Sequence, residues 1–296
     1  MQQFLPSYEP NEADLVEQAL SLPLKIKIEK AVGLLQLWEA AALDLHEFGY
    51  WLAYSGGKDS GCILELAKMA GVKHLPAYNV TTLDPPELVR FIRKEHPEVQ
   101  WQRPEKALLT MMAEDKSNGP PTRLARWCCE KYKEQGGNGR WKILGVRVAE
   151  SANRKAMWKS VVTNRRGGTI MCPIVYWTDK DVWDFHRLHD IPYCCLYDQG
   201  FKRLGCVGCP LAGPLAQRRE FDRWPRYEQA WKRAFQRFWD KWSGVPTLKG
   251  KRRWFEDFGS WEGLWDWWIS GKAAEGGNGC QGEFMFGSTM AGKEEG

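Results

Sequence analysis

The sequence predicts an α/β fold, in which a parallel sheet of about five strands carries helices on both faces and a helical region follows toward the C-terminus. Two observations lead to this prediction. From Tyr50 onward, short apolar runs typical of buried strands alternate with segments that have helical spacing, which is the pattern of βαβ units. After Phe201 the strand-like runs end, and basic residues and tryptophans become frequent.

The predicted elements follow each other in a regular order. Residues 12–46 have helical periodicity, with a break near Leu22-Pro23. Strands are then predicted to begin at Tyr50 and to cover residues 73–81, 98–103, 141–147 and 169–177. Helices are predicted after the first strand, over residues 84–96, where prolines open the first turn, and over residues 179–190.

Composition and charge limit the class of protein. A chain of 296 residues can bury a sizeable core, and a net charge of +5 suits anionic ligands without requiring a nucleic acid. Residues 1–18 lack the basic start and apolar run of a signal peptide, and no apolar run has the length of a membrane span. We therefore expect a cytoplasmic protein with no membrane partner. The expected segments are an N-terminal helical segment (1–47), a nucleotide-binding domain (48–212), a basic, tryptophan-rich helical region (213–270) and a flexible tail (271–296).

The most informative stretch lies between the first strand and the following helix, and it reads Ser55-Gly56-Gly57-Lys58-Asp59-Ser60. The glycines allow successive backbone N–H groups to point into one concavity, while Lys58 and the helix N-terminus add positive charge. This combination predicts a loop that binds a chain of phosphates. It is neither a Walker loop, which needs a four-residue spacer, nor a dinucleotide fingerprint. The alternative is an ordinary turn with a solvated lysine.

The nine cysteines need a second explanation. In a reducing compartment, cysteines that are grouped by spacing indicate metal binding or catalysis before disulfides. Six of them fall into such groups: Cys128, Cys129, Cys194, Cys195, Cys206 and Cys209. Cys62 and Cys172 are expected to be small buried apolar residues, and Cys280 stands alone near the C-terminus.

The loop and several later motifs carry a resemblance to a known family. The loop matches the SGGxDS pyrophosphate loop of the ATP pyrophosphatase superfamily residue for residue. The stretches "NVTTLDPPELVRFIRKEHPEV", "PPTRLARWCCEKYK", "GVRVAESANR", "PIVYWTDKDVWDF" and "LYDQGFKRLGCVGCP" resemble the ordered motifs of the phosphoadenosine phosphosulfate (PAPS) reductase family, especially its phage and prophage members. The resemblance covers about residues 48–212. It implies a Rossmann-like, adenine nucleotide alpha hydrolase-like fold that binds ATP or PAPS with Mg²⁺.

The resemblance also implies site residues. Those of the loop that would line the phosphates are Ser55, Gly56, Gly57, Lys58, Asp59 and Ser60. Those that match the family's GxRxxESxxR element are Arg147, Glu150, Ser151 and Arg154. Arginines after a strand end can grip phosphate or sulfate through two hydrogen bonds, and Glu150 could orient them or hold a metal-bound water. Catalytic roles would fall to Lys58, Asp59, Arg147 and Arg154, although Arg154 could also be a solvated surface residue.

The pair Cys128-Cys129 with Cys206 and Cys209 resembles the CC…CxxC signature of iron–sulfur reductases, which implies a [4Fe–4S] cluster. Adjacent cysteines can bind neighbouring irons of a cubane, whereas both would reach one small tetrahedral ion only with strain. A zinc site and metal-free buried thiols remain alternatives, as does a cluster that uses Cys194 and Cys195. Lys133 matches the family lysine that would sit between the cluster and the nucleotide.

Retention of the whole loop favours one reaction over another. Family reductases act on a substrate with a single phosphate between adenosine and sulfate, and they have lost the SGGxDS residues. An intact Lys58 and Asp59 therefore favour ATP, with adenylation coupled to sulfur transfer. The alternatives are a true PAPS or APS reductase that releases sulfite, and a non-catalytic nucleotide-binding module of a phage or host assembly. Cys280 lies outside the Glu-Cys-Gly-Leu-His motif of reductase tails and is not expected to be a nucleophile.

The segment from Lys202 to Arg253 holds fourteen Lys and Arg against four Asp and Glu, a balance of +10. Within it, apolar residues from Tyr227 to Trp242 recur on one helical face. The first interpretation is a helix that packs its aromatic face on a core and exposes a basic side. The alternative is a contact with tRNA or DNA. A sulfur donor or thioredoxin-like protein and a homo-oligomer are further expected partners.

Overall fold

The computed structural model describes residues 12–115, 119–163, 168–247, 249–250 and 253–271. The chain forms two compact units that alternate along the sequence. The first unit takes the residues up to Asn79 together with 86–102 and 136–204, and the second takes 80–85, 103–135 and the residues from 205 onward. The segment boundaries expected from the sequence stay a prediction.

The described residues of the first unit form a six-stranded sheet in the order β3-β2-β1-β4-β6-β5. The strands are β1 (Tyr50–Ala53), β2 (His74–Asn79), β3 (Gln100–Gln102), β4 (Lys142–Ile143), β5 (Val161–Thr163) and β6 (Thr169–Met171). All neighbours pair in parallel except β5, which runs antiparallel to β6 at the edge. The predicted α/β class is confirmed. The sequence predicted about five strands, and β5 was missed because it runs antiparallel to β6 and so lies outside the pattern of parallel βαβ units that the prediction followed.

Seven helices of the first unit are described. They are α1 (Glu12–Ser21), α2 (Leu24–Leu37), α3 (Glu39–Leu45), α4 (Lys58–Ala70), α5 (Pro86–Glu95), α7 (Ala152–Met157) and α8 (Asp179–Leu188). The break expected near Leu22-Pro23 separates α1 from α2. Helix α4 packs on β1 and between α2 and α8, and it buries one full face from Cys62 to Ala70.

The order of the strands decides which loops meet. Strand β1 lies in the middle of the sheet, between β2 and β4, and β4 is followed by β6. The carboxyl ends of parallel strands lie at one edge of a sheet, where such folds bind ligands. The segments that follow β1, β4 and β6 therefore come together, and each contributes a charged side chain to the site described below.

The second unit is built from helices α6 (Leu108–Glu114), α9 (Pro214–Arg223), α10 (Pro225–Trp242) and α11 (Trp261–Ser270). Helix α10 buries Trp231, Ala234, Phe235 and Phe238, and the Trp231 ring lies 4.8 Å from the ring of Trp268 on α11. The aromatic face that the sequence indicated is thus core. Among the described residues, no helix combines the length and the apolar character that crossing a membrane requires.

Candidate functional site

The phosphate loop follows β1 and runs directly into α4. Gly56 has a φ of +72°, and a Cβ atom there would lie 2.7 Å from Leu88 Cδ1 and from Ile92 Cδ1 on α5. Both the backbone conformation and the space therefore require glycine. A Cβ atom on Gly57 would lie 3.3 Å from the Tyr197 hydroxyl. The two glycines let the loop pack tightly against α5 and Tyr197.

Hydroxyl groups fix the loop at the start of α4. Ser60 Oγ donates to the Gly57 carbonyl at 2.8 Å, and Ser55 Oγ lies 3.2 Å from Ser60 Oγ. The Lys58 N–H donates to the Tyr197 hydroxyl at 2.9 Å, while Gly57, the N-cap of α4, offers no side chain. The positive end of α4 therefore lies at the loop, which is an arrangement that suits anions.

Four charged side chains alternate in sign around the loop. Lys58 Nζ lies 2.9 Å from Asp59 Oδ2 and 3.4 Å from Asp179 Oδ1. Arg147 follows β4, and its Nε lies 2.6 Å from Asp59 Oδ1 and its Nη2 2.8 Å from Asp179 Oδ1. Arg147 is buried and also donates to the Trp177 carbonyl. The two cations can therefore face a phosphate chain only after exchanging contacts with these carboxylates.

The remaining residues of the GxRxxESxxR element have separate roles. Glu150 accepts from Arg154, and its carboxylate lies 3.5 Å from Arg147 Nη2. Ser151 is the N-cap of α7, and its Oγ accepts the Arg154 N–H at 3.2 Å. The structure brings Arg147, Glu150 and Arg154 into one chain of ion pairs. Ser151 caps the N-terminus of α7.

Sequence reasoning missed Asp179, Tyr197 and His186. Asp179 is the first residue of α8 and lies between Thr178 and Asp181, which form the capping box of this helix. Partial burial would raise the pKa of Asp179, but the charges of Arg147 and Lys58 outweigh burial and lower it. His186 Nε2, on the same helix, lies 2.8 Å from the carbonyl oxygen of Lys58 and so links α8 to the end of the loop. The position of "TDKD" after a predicted strand was the available signal for Asp179.

Both oxygens of the Asp59 carboxylate are engaged by cations in this arrangement. Carboxylate and phosphate oxygens are the ligands that Mg²⁺ prefers, so the donor chemistry at Asp59 fits the ion. Binding of Mg²⁺ at Asp59 would require Lys58 or Arg147 to move to the phosphates.

The four predicted cluster cysteines all belong to the second unit. Cys128 precedes a short π-helical turn, Cys129–Lys133, and the Cys209 N–H donates to the Cys206 carbonyl at 3.2 Å in a tight turn. A hydrogen bond from Cys128, together with the charges of Arg126 and Lys133, lowers the pKa of Cys129 to about 6. Burial raises the pKa of the Cys206 thiol, and the electrostatic interaction with Cys206 raises the pKa of Lys133. Thiolate character is therefore favoured at Cys129, whereas the hydrogen bond to Cys129 and burial raise the pKa of Cys128.

A donor set of four thiols with two nearby cations fits a thiolate-ligated cluster in its chemistry. In the part of the chain that the structure describes, however, no group of three or more His, Cys, Asp or Glu side chains is arranged to hold a metal ion. The cluster and its zinc alternative thus stay predictions.

The turn between Cys206 and Cys209 is held by the C-terminal helices. Glu220 Oε2 accepts the Gly208 N–H at 2.7 Å, and Gln217 Nε2 donates to the Gly208 carbonyl at 3.0 Å. Trp231 Nε1 donates to the Val207 carbonyl at 3.0 Å. Burial raises the pKa of Glu220 to about 7. Helices α9 and α10 therefore fix the backbone on which two of the four thiols stand.

The other cysteines lie elsewhere. Cys194 and Cys195 belong to the first unit, and burial raises the pKa of Cys194 to about 11, whereas Cys195 is exposed. Cys62 and Cys172 are fully buried, as small apolar residues would be. Cys280 and the expected tail beyond Gly271 lie outside the described residues.

The basic residues of α10 occupy its outer side. Arg233, Arg237 and Lys241 are exposed, and Lys232 pairs with Glu228 at 2.7 Å. The helix's tryptophans are buried or half-buried instead of presented to solvent. This face of α10 offers a partner positive charge but no exposed tryptophan for aromatic stacking.

Comparison with known proteins shows a family to which more than half of the chain is similar. Residues 49–212, more than half of the chain, match the family model of the phosphoadenosine phosphosulfate reductase domain. An adenosine 5'-phosphosulfate reductase of Staphylococcus haemolyticus is 30% identical over 95 residues, which cover 32% of this chain and 38% of that protein. An uncharacterised protein of Methanocaldococcus jannaschii is 25% identical over 288 residues, which cover 88% of this chain and 55% of that protein.

The chain therefore spans about half, or less, of the length of these curated relatives. Among solved structures, the crystal structure of a PAPS reductase from Candida auris in a phosphate complex aligns with a TM-score of 0.43 at 14% identity. That alignment covers 68% of this chain and 97% of the other.

Proposed function

The chain belongs to the phosphoadenosine phosphosulfate reductase domain family, and from this premise we propose that it binds ATP and cleaves it between the α and β phosphates. The family expected from the motifs is confirmed. In the proposed reaction, an acceptor oxygen attacks the α phosphate, AMP becomes attached to the acceptor, and pyrophosphate leaves. A sulfur donor at the sulfide level then displaces AMP from the activated acceptor, and the acceptor oxygen leaves as part of AMP.

The observation that supports ATP is the joint placement of Lys58, Asp59 and Arg147 at the phosphate loop. A ligand with one phosphate has fewer oxygens with which to contact both Lys58 at the start of α4 and the buried Arg147, with Asp59 between them. A triphosphate offers oxygens to both cations. Charge that develops on the departing pyrophosphate is where such preorganised cations contribute most to catalysis.

Each residue has a defined task in this proposal. The loop N–H groups and Lys58 bind the β and γ phosphates, and Arg147 donates a hydrogen bond to the oxygen that bridges the α and β phosphates. Asp59 would hold the Mg²⁺ that accompanies ATP and supplies further positive charge to the leaving group. Arg154, which pairs with Glu150, would bind the nucleotide at the other end of the ion-pair chain.

We also assign the four cysteines of the second unit to a [4Fe–4S] cluster, as the CC…CxxC motif implies. Cys128, Cys129, Cys206 and Cys209 would hold the cluster, and it would supply electrons or a labile iron position for sulfur chemistry. Lys133 places a positive charge beside these thiols. A structural zinc at the same cysteines is the alternative.

A true reductase is the second candidate, because a relative named as an adenosine 5'-phosphosulfate reductase matches part of the chain. The cysteine pattern also resembles the CC…CxxC signature of iron–sulfur reductases. In that case a sulfated adenine nucleotide would bind at the loop, and a thioredoxin-like protein would supply electrons. A non-catalytic nucleotide-binding module would bind ATP without turnover.

For the acceptor, the exposed basic side of α10 favours a polyanion such as tRNA or DNA. Arg233, Arg237 and Lys241 would contact backbone phosphates without reading sequence. The acceptor is therefore proposed from charge alone.

The test is to purify the protein without oxygen, incubate it separately with ATP and with PAPS or APS plus thioredoxin, and identify products by mass spectrometry. We expect AMP and pyrophosphate from ATP in the presence of tRNA or DNA. Sulfite from a sulfated nucleotide, without ATP cleavage, would replace the proposal by the reductase. Tight ATP binding without any product would favour the non-catalytic module.

Lys58→Ala provides the matched variant. It should weaken ATP binding by roughly tenfold to a hundredfold, since a lost charged hydrogen bond costs about 1.5–3 kcal/mol, and it should affect PAPS less. Lys68→Ala, on the exposed side of the same helix, removes the same charge from a pair with Glu98 and should leave ATP binding unchanged. Equal weakening of ATP and PAPS by Lys58→Ala would contradict the assignment to adenylation.

A further inference from the structure

Asp179 makes contacts that no expected role of the loop explains. Its Oδ1 atom lies 2.8 Å from Arg147 Nη2 and 3.4 Å from Lys58 Nζ, so one oxygen bridges both cations of the phosphate loop. The Asp179 side chain is 76% exposed, whereas those of Arg147 and Lys58 are 2% and 9% exposed. An accessible anion thus covers two cations that face away from solvent.

The charges around the loop balance without any ligand. Lys58 and Arg147 carry two positive charges, and Asp59 and Asp179 carry two negative charges in direct contact with them. A buried arginine without a counter-ion is strongly unfavourable, so these carboxylates stabilise the loop when it is empty. A phosphate chain that enters a neutral loop gains little attraction unless one carboxylate leaves.

Asp179, and not Asp59, is the carboxylate that can move away from the two cations. The Asp59 side chain is 22% exposed, touches a cation with each oxygen, and its backbone would lie 3.1 Å from a Cβ on Gly145. Asp179 stands at the first residue of α8 with its side chain in solvent. Rotation about its side-chain bonds would release both cations without moving the helix.

We propose that Asp179 is an internal counter-ion that occupies the place of a phosphate oxygen in the empty loop and withdraws when a polyphosphate binds. This inference rests on the proposed function, because the displacing ligand is the triphosphate of ATP or the pyrophosphate product. Asp179 then lowers the affinity of the loop for pyrophosphate and speeds its release. It also keeps the buried guanidinium of Arg147 paired between turnovers.

The experiment measures the affinity of inorganic pyrophosphate by isothermal titration calorimetry in the presence of EDTA. Asp179→Asn should bind pyrophosphate about three- to fivefold more tightly than the wild type, the range that a mostly exposed ion pair can contribute. The matched control is Asp184→Asn on the same helix, which removes the same charge from contacts with Lys180 and Arg187 and should leave the affinity unchanged.

A second readout is independent of turnover. Without ligand, Asp179→Asn should melt at a lower temperature than Asp184→Asn, because it leaves Arg147 short of a partner. Saturating pyrophosphate should remove this difference, since the ligand takes over the contact. In a Lys58→Ala background, the gain in affinity from Asp179→Asn should shrink, because one of the two released cations is absent.

Unchanged or weaker pyrophosphate binding by Asp179→Asn would overturn the inference and would make Asp179 a positioning residue for Lys58 and Arg147. The result is separable from that of the proposed function. A wild-type protein that cleaves ATP while Asp179→Asn shows no gain contradicts the counter-ion alone. A gain in affinity without any ATP cleavage supports the counter-ion and contradicts the proposed reaction. Absence of pyrophosphate binding in the wild type and in Asp179→Asn overturns the counter-ion, whereas the proposed reaction is tested by its products from ATP.

Discussion

Gly56 is the residue on which the shape of the phosphate loop depends directly. Its positive φ places it in a backbone region that residues with a Cβ atom rarely adopt, and Leu88 and Ile92 of α5 fill the space that a Cβ would need. The sequence pattern indicated that glycine was needed for turning. The structure adds that it is needed for packing as well.

Gly56→Ala is therefore predicted to destabilise the protein by about 3 kcal/mol, which combines backbone strain with overpacking against α5. Urea unfolding followed by circular dichroism would measure the change. The control is Gly33→Ala in α2, where nothing lies within 4 Å of the added Cβ and where alanine should stabilise the helix by about 0.5–1 kcal/mol. Equal stability of the two variants would contradict the packing that we describe.

At the scale of elements, α2 and α8 are joined by a charge pair that neither sequence segment reveals by itself. Lys27 is buried on α2, and its Nζ lies 2.6 Å from Asp181 Oδ2. Asp181 also accepts from the Thr178 N–H and closes the capping box of α8. The N-terminal segment, which lies outside the matched family region, thus helps to fix the helix that carries Asp179.

Lys27→Ala should cost about 2–3 kcal/mol at pH 7, because it leaves a partly buried carboxylate without its partner. Burial would raise the pKa of Asp181, but the hydrogen bonds from Lys27 and Thr178 outweigh it, so the pKa in the folded state is lowered. A lowered pKa contributes stability that is present above the unfolded value near pH 4 and is lost as the pH falls through the folded value.

The stability difference between the wild type and Lys27→Ala should accordingly be full at neutral pH and shrink below about pH 4. Urea unfolding across this pH range would measure it. Lys30→Ala, exposed on the same helix, should change stability little at any pH. A difference for Lys27→Ala that does not depend on pH would assign its effect to lost packing and contradict the role of the charge pair.

At the scale of the whole molecule, the two proposed chemistries belong to different compact units. The phosphate loop and its ion pairs lie in the first unit, and the four motif cysteines lie in the second. The second unit is assembled from three separate stretches of the chain, and α9 and α10 hold the Cys206–Cys209 turn through Gln217, Glu220 and Trp231. The helical C-terminal region therefore supports a site that the family motifs contain only in part.

Protein purified without oxygen is predicted to be brown and to contain about four iron atoms per chain. Cys129→Ser should abolish the colour and the iron, whereas Cys195→Ser, an exposed cysteine of the first unit, should retain both. Metal analysis and the visible absorption spectrum would measure these results. Zinc in a one-to-one ratio without iron after anaerobic reconstitution, or loss of iron from Cys195→Ser instead, would show that the assignment is wrong.

The sequence by itself determined the α/β class, the family, the break between α1 and α2, and the loop that turns from β1 into α4. These features are local, because each depends on periodicity, proline or glycine within a few residues of the feature itself. The buried aromatic face of α10 followed from the same helical spacing. Strand β5 did not follow, since it pairs antiparallel with β6 and does not belong to the alternation of parallel strands and helices.

Only the tertiary structure decided which charges meet. Arg147 is 88 positions from Asp59 and 32 positions from Asp179 in the sequence, and it forms a hydrogen bond with each. The three residues come together because β1, β4 and β6 end at one edge of the sheet. Likewise, Ser151 became a helix cap. A motif fixes the type of a side chain and its place along the chain, whereas the direction of that side chain and its counter-charge are set by strand order and by packing between distant segments.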